Sequence, residues 1–254
     1  MVLGPLEVVD QNTPIKITAS MQRLVLAVLL LNVGRPVSVP QMVADFWGER
    51  PPPSARKTVH GYVWRLRGLI DRSCHRHIET VDSGYRLRAD DVDFVRFERL
   101  VGAGRRASAA GDLPAAERRL SEALALWRGP ALTNVPATPQ IAVSCTRLRE
   151  LRLSALAARF DIGLEMGQHR LITPELQVIV VEYPFNEEFH AQLMLSLYRC
   201  HRPAEALEVF YKLRSYLVDE LGVEPSPSLQ RLFLRILAND CALAAARPVN
   251  EMVL

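Results

Sequence analysis

The sequence predicts two folds in series: an α+β portion over residues 1–93 and an all-α, tetratricopeptide-like helical repeat portion over residues 94–254. Three observations predict this. Up to about Asp93, short β-branched runs mix with amphipathic stretches, whereas beyond it the apolar residues recur with helical spacing. Two later segments resemble each other: GDLPAAERRLSEALALW at 111–127 and HRPAEALEVFYKLRSYL at 201–217, each a turn, then Pro-Ala, then an amphipathic helix. Gln168 to Arg202 spans 34 residues, the period of a tetratricopeptide helix pair, so MGQHRLITPELQVIVVEYP at 166–184 sits where a repeat between them belongs.

In the first portion, residues 3–9 and 15–18 flank a turn-rich link and predict a hairpin. Ser20 is placed to cap a helix running to Leu31, which Asn32 to Gly34 would end. Ser38 is placed to cap a second helix over 39–47, stopped by Gly48, and Ser54 a third over 54–70. Residues 78–81 and 85–88, joined by Asp82-Ser83-Gly84, predict a second hairpin. A helix, turn, helix followed at once by a hairpin bearing Arg86 and Arg88 is the layout of a winged helix-turn-helix. In the second portion the expected helices are 94–110, 114–127, 140–167, 171–182, 187–200, 204–220 and 227–239, separated by Gly- and Pro-containing breaks.

Composition excludes several classes. Apolar residues make up 49% and charged residues 23%, as in ordinary globular chains. No apolar run reaches the length of a membrane span, and the N-terminus has no secretory signal pattern. The four cysteines are scattered, with no C-x-x-C pair, which suits a reducing cytoplasm. The net charge is only +3, but residues 50–88 hold nine basic and three acidic side chains, a surplus of six that leaves the remainder at −3. Such local basicity is the footprint of a polyanion-binding element.

On a helical wheel of 54–70, Ala55, Val59, Tyr62, Val63, Leu66, Leu69 and Ile70 form the inward stripe. Lys57, His60, Gly61, Trp64 and Gly68 lie opposite, with Arg56 and Arg67 on one flank and Thr58 and Arg65 on the other. A basic helical face alone is most often merely solvated, but an outward Trp calls for a covering partner. A duplex major groove admits one helix, with flanking arginines at the phosphates and central side chains at the base edges. Arg56, Lys57, Thr58, His60, Trp64, Arg65, Arg67, Arg86 and Arg88 are thus the candidate DNA contacts.

The stretches LGPLEVV, LLLNVGRPVSVPQMVADFWGERPPPSARKTVHGYVWRLRGLI and SGYRL resemble the OmpR-type winged helix, and more closely that of the Streptomyces antibiotic regulatory protein family. The later stretches FERLVGAGRRASAAGDLPAAERRLSEALALWRGPAL, RLRELRLSALAARFDIGLEMG and EYPFNEEFHAQLMLSLYRCHRPAEALEVFYKLRSYLVDELGVEPSPSLQRL resemble that family's bacterial transcriptional activation domain. The resemblance covers about residues 2–240 and implies the small two-domain type: a winged-helix domain at 1–93 and an activation domain at 94–254. It implies an activator of a secondary-metabolite gene cluster that binds direct repeats near the promoter −35 region, side by side as a dimer on DNA. It also implies recruitment of RNA polymerase holoenzyme, sigma factor included, at the nucleoid in the cytoplasm. Glu49 and Arg50, in the loop before the recognition helix, are then the candidate polymerase contacts; the loop over 71–77 and the helical portion are the other available surfaces. The family motif A-R-N-T-L-x-x-Y-V-S-R-L-R-R-L is matched by Arg56, Thr58, Tyr62, Val63, Arg65, Leu66 and Arg67. It is broken by Lys57, Trp64 and Gly68, all outward, so the base preference does not carry over.

No catalytic motif, phosphate-binding loop or cofactor signature occurs; no enzyme activity, cofactor or metal is expected. Cys74-His75-Arg76-His77 reads as an exposed connection rather than a metal site. The competing reading is a helical-repeat scaffold or ligand-responsive regulator that uses its winged helix for protein contacts.

Overall fold

A computed structural model of the chain describes residues 1–10, 13–70 and 77–244. The first elements are β1 (Val8–Asp10), β2 (Thr13–Ile15), α1 (Ser20–Leu31), β3 (Pro36–Ser38), α2 (Val39–Trp47), α3 (Ala55–Ile70), β4 (Ile78–Val81) and β5 (Gly84–Leu87). There follow α4 (Asp93–Ala109), α5 (Leu113–Leu124), α6 (Pro139–Glu165), α7 (His169–Glu182), α8 (Glu187–Arg199), α9 (Pro203–Leu221), α10 (Pro227–Leu237) and a 3-10 turn at Cys241–Ala244. This is the winged helix followed by helices that the sequence predicts.

These elements form two compact units, one of Met1–Gly102 with Glu122–Leu153 and one of Ala103–Ser121 with Ser154–Leu254.

In the first unit, α1 is the central core helix. Leu24, Val25, Leu26, Ala27, Val28, Leu29 and Leu30 are all buried, because α3 and β5 pack against it. Ser20 does not cap it. Ser20 is the first helical residue, and the capping position is Ala19, whose carbonyl accepts from the N–H groups of Gln22 and Arg23. Ser38 does cap α2, its Oγ accepting from Gln41 N–H at 3.2 Å. Sequence reading misses β3, a three-residue strand beginning with proline. It pairs antiparallel with β5, giving a sheet ordered β3-β5-β4. Gly84 makes that approach possible: a Cβ there would sit 2.0 Å from the Val37 carbonyl oxygen.

The N-terminal hairpin is shorter than expected, and residues before Val8 are held otherwise. Val2 and Leu3 are buried, and their N–H groups donate to the buried Asp93 carboxylate at 2.7 and 2.9 Å. The Arg128 N–H donates to the Leu3 carbonyl, and Asn134 exchanges two bonds with the Leu6 backbone. Asp45 of α2 accepts from Thr138 Oγ1 at 3.0 Å and from Gln140 N–H at 3.2 Å at the start of α6. The winged helix is therefore closed by residues far along the chain.

In the second unit, α7 packs on α8 and α8 on α9, with α10 on both of the last two, as successive helical-repeat hairpins do. Phe189 meets Phe160 edge-on, and Gly163 leaves room for Ile172, which a Cβ would meet at 2.9 Å. The boundaries of α8 to α10 fall within two residues of the sequence expectation, because Asn186, Pro203, Ser226 and Pro227 mark their starts.

Candidate nucleic-acid interface

Helix α3 divides as its period requires. Ala55, Val59, Val63, Leu66 and Ile70 are buried, and Tyr62 and Leu69 are half-buried at the edge of that stripe. The opposite face is open. Trp64 is 75% exposed, and Arg56, Lys57 and Arg65 are exposed and make no hydrogen bond or ion pair with any described residue. Gly61 and Gly68 have no protein atom within 4 Å of where a Cβ would be, so nothing in the fold itself requires their smallness. What they provide is a face on which another backbone can come close.

The other candidate residues have intramolecular partners. Thr58 Oγ1 donates to the Ser54 carbonyl at 3.0 Å. His60 Nδ1 and the Tyr85 hydroxyl share a 2.5 Å hydrogen bond, with their rings edge to face. Burial pushes the Tyr85 phenol up, so its hydroxyl keeps its proton. Arg67 turns toward the wing: its guanidinium donates to the Ile78 carbonyl at 3.0 Å and Thr80 Oγ1 at 2.8 Å, and lies 5.5 Å from the centre of the Tyr85 ring. Arg67 and His60 thus tie the recognition helix to β4 and β5. His60 is exposed, as its place on the wheel predicts, and Arg67 is half-buried on the flank; their links to Tyr85 are what sequence reading has no view of.

The wing is less cationic than a count of its arginines indicates. Arg86 and Arg88 both pair with Glu79, at 2.8 and 2.7 Å, and these bonds hold its carboxyl below the usual range. Glu79 stands directly across from Arg86 in the β4–β5 register, because β5 starts at Gly84, one residue earlier than expected. Arg88 remains largely exposed, Arg86 less so. A cleft of about 310 Å³ runs between the start of α2, helix α3 and the wing turn, with Arg56 and Ser83 among its lining residues. A phosphate entering that cleft would meet Arg56 as its cation.

Between α2 and α3 every residue from Gly48 to Ser54 is exposed, Glu49 and Arg50 included. The Pro52 carbonyl accepts from the Ala55 N–H, so the prolines lead directly into α3. The loop at 71–77, also a candidate surface, lies outside the described residues except for His77. So do Cys74 and His75 of the Cys-His run, as well as Arg72 and Arg76. Among the described residues no group of His, Cys, Asp and Glu is arranged to hold a metal, and no helix is long and apolar enough to cross a membrane.

The sequence matches the family described as "Transcriptional regulatory protein, C terminal" over residues 12–87 and "Bacterial transcriptional activator domain" over residues 92–237. It is 39% identical over 248 residues to Regulatory protein DnrI of Streptomyces peucetius, covering 94% of this chain and 91% of that one. It is 38% identical to Regulatory protein AfsR of Streptomyces coelicolor across 96% of this chain but only 24% of the relative. Among solved structures it resembles Mycobacterium tuberculosis EmbR, determined in complex with a low-affinity phosphopeptide. The TM-score is 0.89 at 32% identity, over 99% of this chain and 66% of that one.

Proposed function

From a chain that belongs to the Streptomyces antibiotic regulatory protein family, and is therefore a transcriptional regulator rather than an enzyme, we propose a sequence-specific DNA-binding activator of a secondary-metabolite gene cluster. It binds direct repeats near the promoter −35 region as a side-by-side pair and recruits RNA polymerase holoenzyme, sigma factor included. It acts in the cytoplasm at the nucleoid. Residues 1–93 carry DNA binding and 94–254 carry activation.

One observation supports this reading above the others: the outward face of α3 combines uncompensated Arg56, Lys57 and Arg65 with an exposed Trp64 and two side-chain-free glycines. Cations without intramolecular partners suit phosphates, and a planar indole between them suits base edges. Thr58, His60, Arg67, Arg86 and Arg88 belong to the same surface. His60 and Arg67 set the angle between helix and wing, while Arg88 offers the wing's open charge. Glu49 and Arg50, exposed beside three prolines, present a preformed loop to the polymerase.

Footprinting the purified protein on promoters of its own gene neighbourhood, followed by transcription with holoenzyme, tests the reading. Protection of repeats about one helical turn apart is expected. Glu49→Ala with Arg50→Ala should keep the footprint and lose transcript. A chain that protects no promoter at low salt is not this kind of regulator.

A further inference from the structure

Helix α7 has two apolar faces, and among the described residues only one of them is covered. Ile172, Leu176 and Ile179 are buried. On the other side Leu171, Val178 and Val181 are 75%, 64% and 79% exposed. With the exposed Pro174 they fall within an arc of about 80° at 100° per residue, so they form one stripe along the helix. Exposed apolar groups scattered singly need no explanation, but a continuous stripe marks an interaction surface. The stripe runs at its C-terminal end into a groove of about 390 Å³, lined by Val181, Pro184, Phe185, Val209 and Tyr216 among others.

We propose that a second copy of this chain covers the stripe, the two α7 helices pairing antiparallel about a twofold axis that passes level with Leu176. Two features point to a second copy and to that direction. The first is charge. Arg170 at one end of the stripe and Glu182 at the other are exposed and make no ion pair with any described residue. The acid between them, Glu175, is engaged by Arg159. Parallel pairing would put like charges together at each end. Antiparallel pairing puts one Arg170 and one Glu182 at each end, and opposes the two helix dipoles. The second is shape. Reflected through position 176, Leu171 falls level with the partner's Val181, at the rim of the partner's groove, and Pro174 falls level with the partner's Val178. Leu171 of each copy therefore reaches the rim of a concavity on the other. Self-complementarity of this kind is what an isologous interface requires.

The pairing concerns the second unit alone and needs no DNA, so it stands or falls separately from the proposed promoter binding.

Sedimentation of the full chain without DNA, over roughly 1–100 µM, tests it. The wild type is expected to pass from monomer to dimer within that range. Leu171→Glu and Val181→Lys each place a charge against apolar groups twice per dimer. Each alone should raise the dissociation constant tenfold or more while circular dichroism stays unchanged. Mixed together, the two variants form one Glu–Lys contact and one Leu–Val contact, so heterodimers should return. A wild type that stays monomeric, variants that dimerise as well as it does, or a mixture that remains monomeric would each overturn the proposal. The first of these leaves the stripe to a different protein, and the last excludes the antiparallel register.

Discussion

Helices α3 and α7 are both half-buried, yet their open faces differ in kind. Helix α3 shows Arg56, Lys57, Trp64 and Arg65. Helix α7 shows Leu171, Val178 and Val181. The buried face of either helix reports only that a core exists. The exposed face reports the partner, because water solvates a lone cation at little cost but does not solvate a row of aliphatic side chains. In the readings proposed above, a polyanion answers the first face and a second copy of the chain the second. The two units also treat buried carboxylates differently. Asp93 in the first accepts from three backbone N–H groups, those of Val2, Leu3 and Phe94. Asp161 in the second accepts from a side chain instead, the Gln192 amide at 2.8 Å.

The largest expected effect tests how self-sufficient the winged helix is. A fragment of residues 1–95 keeps α1 to α3 and the wing but loses Arg128, Leu132 and Asn134, which hold the segment from Leu3 to Leu6 in place. It should show no cooperative thermal transition, whereas the full chain does. In the full chain, Asp93→Ala leaves three buried N–H groups without their acceptor and should cost about 3 kcal/mol or more, read as a drop in Tm. A well-folded 1–95 fragment would mean that the long-range closure is incidental.

The next effect separates two kinds of contact on α3. Arg56→Ala and Arg65→Ala should weaken binding to all sequences alike and flatten the dependence of log K on log salt by about one for each phosphate no longer neutralised. Lys57→Ala and Trp64→Ala should shift the preferred sequence by about 1–3 kcal/mol per altered position, measured by binding-site selection. An unchanged consensus in both would place base reading elsewhere on the domain.

Much of this was legible in the chain. The inward stripe of α3 follows from its period, the starts of α8 to α10 from Asn, Ser and Pro at their first positions, and the wing turn, to within one residue, from Asp82-Ser83-Gly84. What was not legible depends on residues far apart. Nothing near Val2 indicates that Asp93 will receive its N–H, and nothing near His60 indicates that Tyr85, 25 positions away, will bond its ring. The β3 strand is three residues with proline first, below what alternation can signal. The Glu79–Arg86 pair is local and still escapes: the expected second strand begins at Tyr85, whereas β5 begins at Gly84, and that one-residue difference sets Glu79 opposite Arg86.

Asp161 supplies a pH test of the second unit. Burial, the leading cause, pushes its carboxyl from 3.8 up to about 6, against the bond from Gln192, with Glu188 and Glu165 adding to the rise. A carboxyl whose folded pKa is raised binds its proton more tightly in the native state than in the unfolded one. Its contribution is therefore complete below about pH 4 and is lost as pH rises through about 6. A shift of this size corresponds to about 3 kcal/mol in full, and partial solvent access reduces it to roughly 1–2. Asp161→Asn keeps the acceptor for Gln192 and removes the ionisation. At pH 7.5 it should be more stable than the wild type by that amount, and the difference should vanish at pH 4. A wild type and variant that melt in parallel from pH 4 to 7.5 would show the site to be solvated.

The smallest effect sharpens the comparison at the wing. Glu79 receives both Arg86 and Arg88, so β4 and β5 present fewer open cations than their sequence carries. Glu79→Gln removes the negative charge while keeping an oxygen that can accept from one arginine. Surface ion pairs contribute little to stability, and Tm should hardly move. DNA binding should respond instead. The wing gains one net positive charge and frees the Arg88 guanidinium, already the more exposed of the two. Affinity for any duplex should rise a few-fold at low salt, and the salt slope should steepen by up to about one. If the wing arginines reach backbone rather than base edges, the gain should be equal for specific and non-specific DNA. A gain confined to the specific site would instead assign Arg88 to the reading of sequence in the minor groove, where narrow A·T tracts attract arginine.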